Sequence, residues 1–207
     1  MLVLVYCDHM AHEYTVDHEL SDDDENVHHV WDNSIEPALT VEPGEVVRFE
    51  CRDAFDEQFG ADADLADFLN ASFDPVHPVT GPVYVEGAEP GDVLEVEFLN
   101  FEHKGWGYTG FFEGERGFGL LPEDFDEGGF HVWDLEDGVA EFVNGIEVPI
   151  DCFPGIAGLA PGEDGEHGTL PPRDTGGNMD VKHMTEGSTV YFPVEAEGGL
   201  FSTADCH

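Results

Sequence analysis

The sequence predicts a mainly β chain folded as a sandwich or barrel. Three observations carry that prediction: short segments rich in β-branched and aromatic residues recur, Pro-Gly turns separate them, and helical spacing is scarce. The apolar opening Met1 to Tyr6 is too short to cross a bilayer and has no basic flank. It reads either as a short first strand or, with translation starting at Met10, as no part of the protein. Val30 to Ser34, Ala38 to Val41 and Glu45 to Cys51 follow as strands, the last two joined by the turn Glu42-Pro43-Gly44. Val83-Tyr84-Val85 leads through Glu89-Pro90-Gly91-Asp92 into Val93 to Phe98, which alternates apolar with acidic residues as a half-solvated strand does.

Further strands are expected at Phe130 to Leu135, Glu141 to Val143, Glu147 to Ile150 and Thr189 to Val194, the last after Glu186-Gly187-Ser188. Ala61 to Ala71 is the one stretch with helical spacing, which groups Leu65, Phe68 and Leu69. Gly105 to Gly129 and Leu159 to Met184 read as long loops, which compact domains keep where they build a site. The turn pattern recurs without a fixed repeat length, so no solenoid is expected.

Composition narrows the function classes. The 207 residues include 47 acidic and 6 basic side chains, a formal net charge of -41. Nucleic acid is excluded as a partner, since phosphate neutralisation needs clustered Lys and Arg, and an anionic membrane surface is excluded for the same reason. With 41% hydrophobic and 12% aromatic residues the chain is nevertheless one that folds. Acids scattered over the whole length describe the coat of a halophilic protein. A Debye length of ~3 Å at 1 M against ~30 Å at 0.01 M makes its structure dependent on salt. Cys7, Cys51, Cys152 and Cys206 form no C-x-x-C pair, which points to reduced thiols and a cytoplasmic location.

Motifs differ in weight. Gly105-Trp106-Gly107-Tyr108-Thr109-Gly110 matches a dinucleotide loop formally, but Phe111-Phe112-Glu113-Gly114 follows where a helix should open, so coincidence is the better reading. His28, His29, the run Asp22 to Glu25 and the pair Glu166 and His167 read as solvated or structural groups. Cys206 and His207, as strand neighbours, point to opposite faces.

Three clusters carry more. His77-Pro78-Val79-Thr80-Gly81-Pro82 sets an imidazole before two prolines. Pro171 to Asp180 sets Arg173 beside a Gly-Gly turn with Asn178 and Asp180. Asp205-Cys206-His207 places a carboxylate and an imidazole two apart on a strand, on one face, where both can reach one ion. Each also has a plain structural reading: a turn hydrogen bond for His77, a surface ion pair for Arg173, a left-handed turn position for Asn178.

With these residues the chain resembles the acetamidase/formamidase family. The blocks are His77 to Pro82, Glu86-Gly87, Glu89 to Asp92, Gly117 to Leu120, Pro154 to Gly158, Pro171-Pro172-Arg173, Gly176 to Asp180 and Phe201 to His207, in the family's order. The resemblance implies a jelly-roll-like β-sandwich with an inserted α+β portion. It also implies hydrolysis of short linear amides, formamide or acetamide, to the carboxylate and ammonia, by a homo-oligomer. The expected organisation is a variable acidic segment over 1–27 and the family domain over 28–207.

The implied site is a divalent metal, zinc with calcium or magnesium as alternatives, held by some combination of His77, Asp180, Asp205 and His207. Glu86 takes the proton of the attacking water, and Asn178 with the amides of Gly176 and Gly177 holds the oxyanion. Asp180 counts among both the catalytic and the metal groups, and Trp106, Phe111 and Phe118 wall a small pocket. Family members continue past the equivalent of Asp205-Cys206-His207, so the resemblance also implies a chain truncated at its C-terminus. The alternative function is a non-catalytic acidic β-sandwich that binds a metal or small ligand within an oligomer.

Overall fold

A computed structural model describes residues 2–4, 14–117, 121–136 and 138–207. The chain divides into two compact units, Met1–Asp56 with Pro75–Glu102 and Cys152–His207, and Glu57–Asp74 with His103–Asp151.

The first unit opens with β1 (Leu2–Leu4), β2 (His18–Leu20), β3 (Val27–His28), β4 (Val30–Trp31), β5 (Leu39–Val41) and β6 (Val46–Phe49). After the first piece of the second unit come β7 (Val79–Val85) and β8 (Val93–Asn100). The second unit holds α1 (Leu65–Leu69), β9 (Trp106–Phe111), β10 (Gly129–Glu136), β11 (Val139–Phe142) and β12 (Ile146–Pro149). The first unit then resumes with β13 (Pro154–Leu159), β14 (His167–Gly168), β15 (Gly176–Asn178), β16 (Ser188–Pro193) and β17 (Phe201–Cys206).

Two larger sheets make the body of the first unit, and β4 pairs with β14 apart from them. One runs β16-β8-β1-β6-β2; the other runs β15-β13-β17-β7-β3, with β5 also pairing β7. Strand β8 keeps the alternation its sequence predicts, Leu94, Val96 and Phe98 inward and Glu95 outward. Its inward residues join Phe49 and Phe192 of the same sheet and Val83, Leu159 and Phe201 of the other in a single hydrophobic cluster, as a sandwich requires. The Phe201 ring lies 5.8 Å from Phe49 and 6.0 Å from Phe192.

The second unit is the α+β insertion. Asp64 caps α1 by accepting from the N–H groups of Ala66 (2.7 Å) and Asp67 (3.1 Å), and Asp67 returns a bond to the Asp64 N–H. Phe68 of that helix stacks on Phe112 at 4.4 Å and on Phe130 at 5.1 Å, while β9 to β12 form an antiparallel sheet.

Several expectations change. Of the segment 1–27, β1 lies between β8 and β6 and β2 flanks β6. The stretch read as a loop from Gly105 contains β9, and the one from Leu159 contains β14 and β15. Met10 and Cys7 lie outside the described residues; Cys51, Cys152 and Cys206 form no disulfide. Among the described residues no helix is long and apolar enough to cross a membrane.

Candidate metal centre

Strand β13 sits between β15 and β17, and the candidate residues gather at its beginning. The Gly155 carbonyl accepts from the N–H groups of Met179 (3.0 Å) and Asp180 (3.1 Å), which carries the chain out of β15. On the other side Phe153 and His207 exchange backbone bonds of 3.1 and 2.8 Å, and the Asp205 N–H donates to the Arg52 carbonyl at 3.4 Å. His77 is tied by its own N–H to the Ala54 carbonyl at 2.8 Å. Each candidate backbone is thus held, and three of them are held in the left-handed region: φ is 53° at His77, 48° at Asp180 and 51° at Asp205. Non-glycine residues rarely settle there, and such strain collects at functional sites.

Side chains converge from these anchors. His207 Nε2 lies 3.4 Å from Asp205 Oδ2 and 3.7 Å from Asp180 Oδ1, and potential ligand atoms of all three lie within 4.8 Å of one another. Distances of 3.4 and 3.7 Å are too long for good hydrogen bonds but suit two ligands each ~2.0–2.2 Å from one shared ion. Asp205 is buried, whereas Asp180 and His207 are open to solvent. Polar contact with the Asp205 carboxylate, reinforced by its charge and that of Asp180, raises the His207 pKa against the opposing effect of burial. His77 Nδ1 stands 3.8 Å from Asp205 Oδ2, buried and without a hydrogen-bond partner. A buried imidazole nitrogen left unmatched near the Asp205 carboxylate, which itself meets Asp180 and His207, fits a site that takes a divalent ion.

The expected convergence of Asp205 and His207 therefore holds, although the left-handed turn at Asp205 replaces the regular pleat assumed for it. Other expectations require correction. Glu86 and His77 lie beyond opposite ends of β7, a seven-residue strand that spans roughly 20 Å, so Glu86 is not at this centre. The Gly176 N–H donates to the Arg173 carbonyl at 3.0 Å and is spent on that turn, while Gly177 pairs with Ala157 in the β13–β15 ladder. Asn178 Nδ2 donates to the Leu170 carbonyl at 3.0 Å, and Oδ1 is left buried and unpaired. Asn178 thus presents an acceptor where an oxyanion donor was expected. Trp106 and Phe111 belong to the second unit, and Phe118 lies outside the described residues.

The histidine and acid runs find structural partners. Arg52 donates to the Asp22 carbonyl (2.7 Å), Asp24 (2.7 Å) and Asp56 (2.9 Å), which hold its charge firmly, and His29 meets Asp56 at 3.2 Å. His167 contacts the Glu163 carbonyl at 3.0 Å. His28 bonds the Val30 carbonyl through Nδ1 at 2.6 Å and accepts from Ser202 Oγ through Nε2 at 3.0 Å. Burial lowers its pKa to about 4. No helix opens after β9, only a 3-10 turn at Gly114–Arg116, which removes the dinucleotide reading.

The acetamidase/formamidase family profile matches residues 13–167 and 163–207. The chain belongs to this family. Curated relatives include the acetamidase of Mycolicibacterium smegmatis, 30% identical over 94% of this chain and 63% of that protein. The formamidase of Methylophilus methylotrophus is 29% identical over 89% of this chain and 58% of that protein. Among solved structures, the Bacillus halodurans acetamidase superposes with a TM-score of 0.82 at 32% identity, covering 91% of this chain and 61% of that one. The Delftia acidovorans gamma lactamase gives 0.84 at 27% identity, with coverage of 92% and 61%. The jelly-roll-like architecture with its insertion is thus that of the family, and the chain spans about three fifths of the length of these relatives.

Proposed function

We propose that this family member serves the hydrolysis of short linear amides, formamide or acetamide, to the carboxylate and ammonia, at the centre formed by Asp180, Asp205, His207 and His77. The observation that carries the proposal is the convergence of the first three within 4.8 Å beside the unmatched His77 Nδ1. Relatives named acetamidase, formamidase and gamma lactamase share the amide C–N bond as the bond acted on, which supports the same class.

In this reading Asp180, Asp205 and His207 hold a divalent ion, zinc for a donor set of two carboxylates and an imidazole, with calcium or magnesium as harder alternatives. Such an ion supplies an acidified water and a Lewis acid for the amide carbonyl. His77, expected among the ligands, stands at the edge of the group with Nδ1 free, 3.8 Å from Asp205 Oδ2. It takes the proton of the attacking water at Nδ1 and returns it to the amide nitrogen, so that the C–N bond breaks with ammonia leaving. Asn178 Oδ1 accepts from the amide NH2 and orients the substrate. The protein works as a homo-oligomer in the cytoplasm, with an acid coat that requires salt.

Ammonia release from formamide and acetamide, measured in molar salt with zinc supplied, tests the proposal. Asp205→Ala is expected to lower turnover more than ~100-fold, beyond what loss of a group merely orienting a ligand costs. Full activity in that variant removes the site. Zinc uptake without ammonia release in the unaltered protein favours instead the non-catalytic ligand-binding sandwich.

A further inference from the structure

We infer that Gly155 is the positioning residue of this centre, an inference that rests on the metal reading above. Gly155 touches both chain segments that bring the ligands. Its carbonyl binds the Met179 and Asp180 N–H groups at 3.0 and 3.1 Å, which fixes the left-handed turn from which Asp180 projects. Its Cα faces the other two: a Cβ built there would lie 2.9 Å from Asp205 Oδ2, 2.9 Å from His207 Nε2 and 2.8 Å from the Asp205 carbonyl oxygen. Cβ atoms essentially never approach that closely, so any side chain at 155 must drive Asp205 and His207 from the positions in which they converge. A lone hydrogen leaves free a small volume bounded by two candidate ligand atoms.

This accounts for a poor strand former near the start of β13. A β-branched residue would suit the ladder better, yet its Cβ would collide with Asp205 Oδ2 and His207 Nε2. Gly155 holds no ion and moves no proton; it acts through the placement of Asp180, Asp205 and His207.

The test is a calorimetric titration of zinc into chelator-treated protein in molar salt, for the unaltered chain and for Gly155→Ala, with circular dichroism recorded on both. The inference expects one zinc per chain in the unaltered protein and a 10- to 100-fold weaker affinity, on the order of a lost orienting contact, in a variant with an unchanged spectrum. Equal affinity in a folded Gly155→Ala protein overturns it. Absence of zinc binding in the unaltered protein fells the metal reading itself and takes this inference with it, a distinguishable result. Where Gly155→Ala does not fold, the same substitution with His207→Ala decides. Recovery of the fold shows that the collision is with the ligand side chains, in support. Continued failure after Asp205→Ala is added as well, which removes both ligand side chains, places the collision at the Asp205 carbonyl and reduces Gly155 to strand pairing, which overturns the inference.

Discussion

The six-stranded sheet carries two groups of polar side chains built from similar parts. His28 donates to the Val30 carbonyl at 2.6 Å and accepts from Ser202 Oγ at 3.0 Å, and Ser202 is fully buried. His207 lies 3.4 Å from Asp205 and 3.7 Å from Asp180, and His77 lies 3.8 Å from Asp205, with one buried nitrogen unmatched and three of the four backbones left-handed. Matched polar atoms at ordinary distances mark a part of the scaffold; unmatched atoms at ligand spacing, on strained backbone, mark a place that waits for something else. Residue type alone does not separate the two.

The contrast can be broken most forcefully by pH. His28 titrates near 4 in the folded chain and near the ordinary 6.5 when unfolded. Above 6.5 both states are neutral and nothing is lost. Below it the unfolded chain takes up a proton that the folded chain refuses, so stability falls between 6.5 and about 4, by roughly 3 kcal/mol in all, and levels off below. Urea melts from pH 7 to 4 in constant molar salt should lose that slope in His28→Gln; a slope retained there contradicts the assignment.

A smaller effect is expected from Ser202→Ala, which leaves the buried His28 Nε2 without its donor. It should cost about 1–3 kcal/mol in the same melts, with zinc binding unaffected. The smallest comes from the far end of β7, where exposed Glu86→Gln should leave stability within ~0.5 kcal/mol and ammonia release unchanged. A large loss of turnover in that variant would return Glu86 to the chemistry.

The sequence makes legible what is local or carried by the family's blocks. Alternation in β8 and the Pro-Gly turns around it are visible because one face is wet, and the spacing of Leu65, Phe68 and Leu69 marks α1 because one turn of helix brings them to one face. Strand β13 is not visible, since Pro154, Gly155 and Gly158 are weak strand formers. It is a strand because partners press from both sides, closely enough that a Cβ at Gly158 would meet the Gly177 nitrogen at 2.5 Å. Asp205 with His207 can be read from spacing, and the resemblance adds His77 and Asp180. Glu86 shows the limit of that reading: it follows His77 by nine positions, but an intervening extended strand turns nearness in sequence into distance in space.

The left-handed backbone at His77, Asp180 and Asp205 sets two selective pressures against each other. Glycine tolerates φ near +50° at little steric cost, so variants screened for heat resistance alone should accumulate glycine at these three positions. Each such gain in endurance would erase a donor atom, and thermal tolerance and ion affinity should therefore trade off position by position along this rim of the sheet.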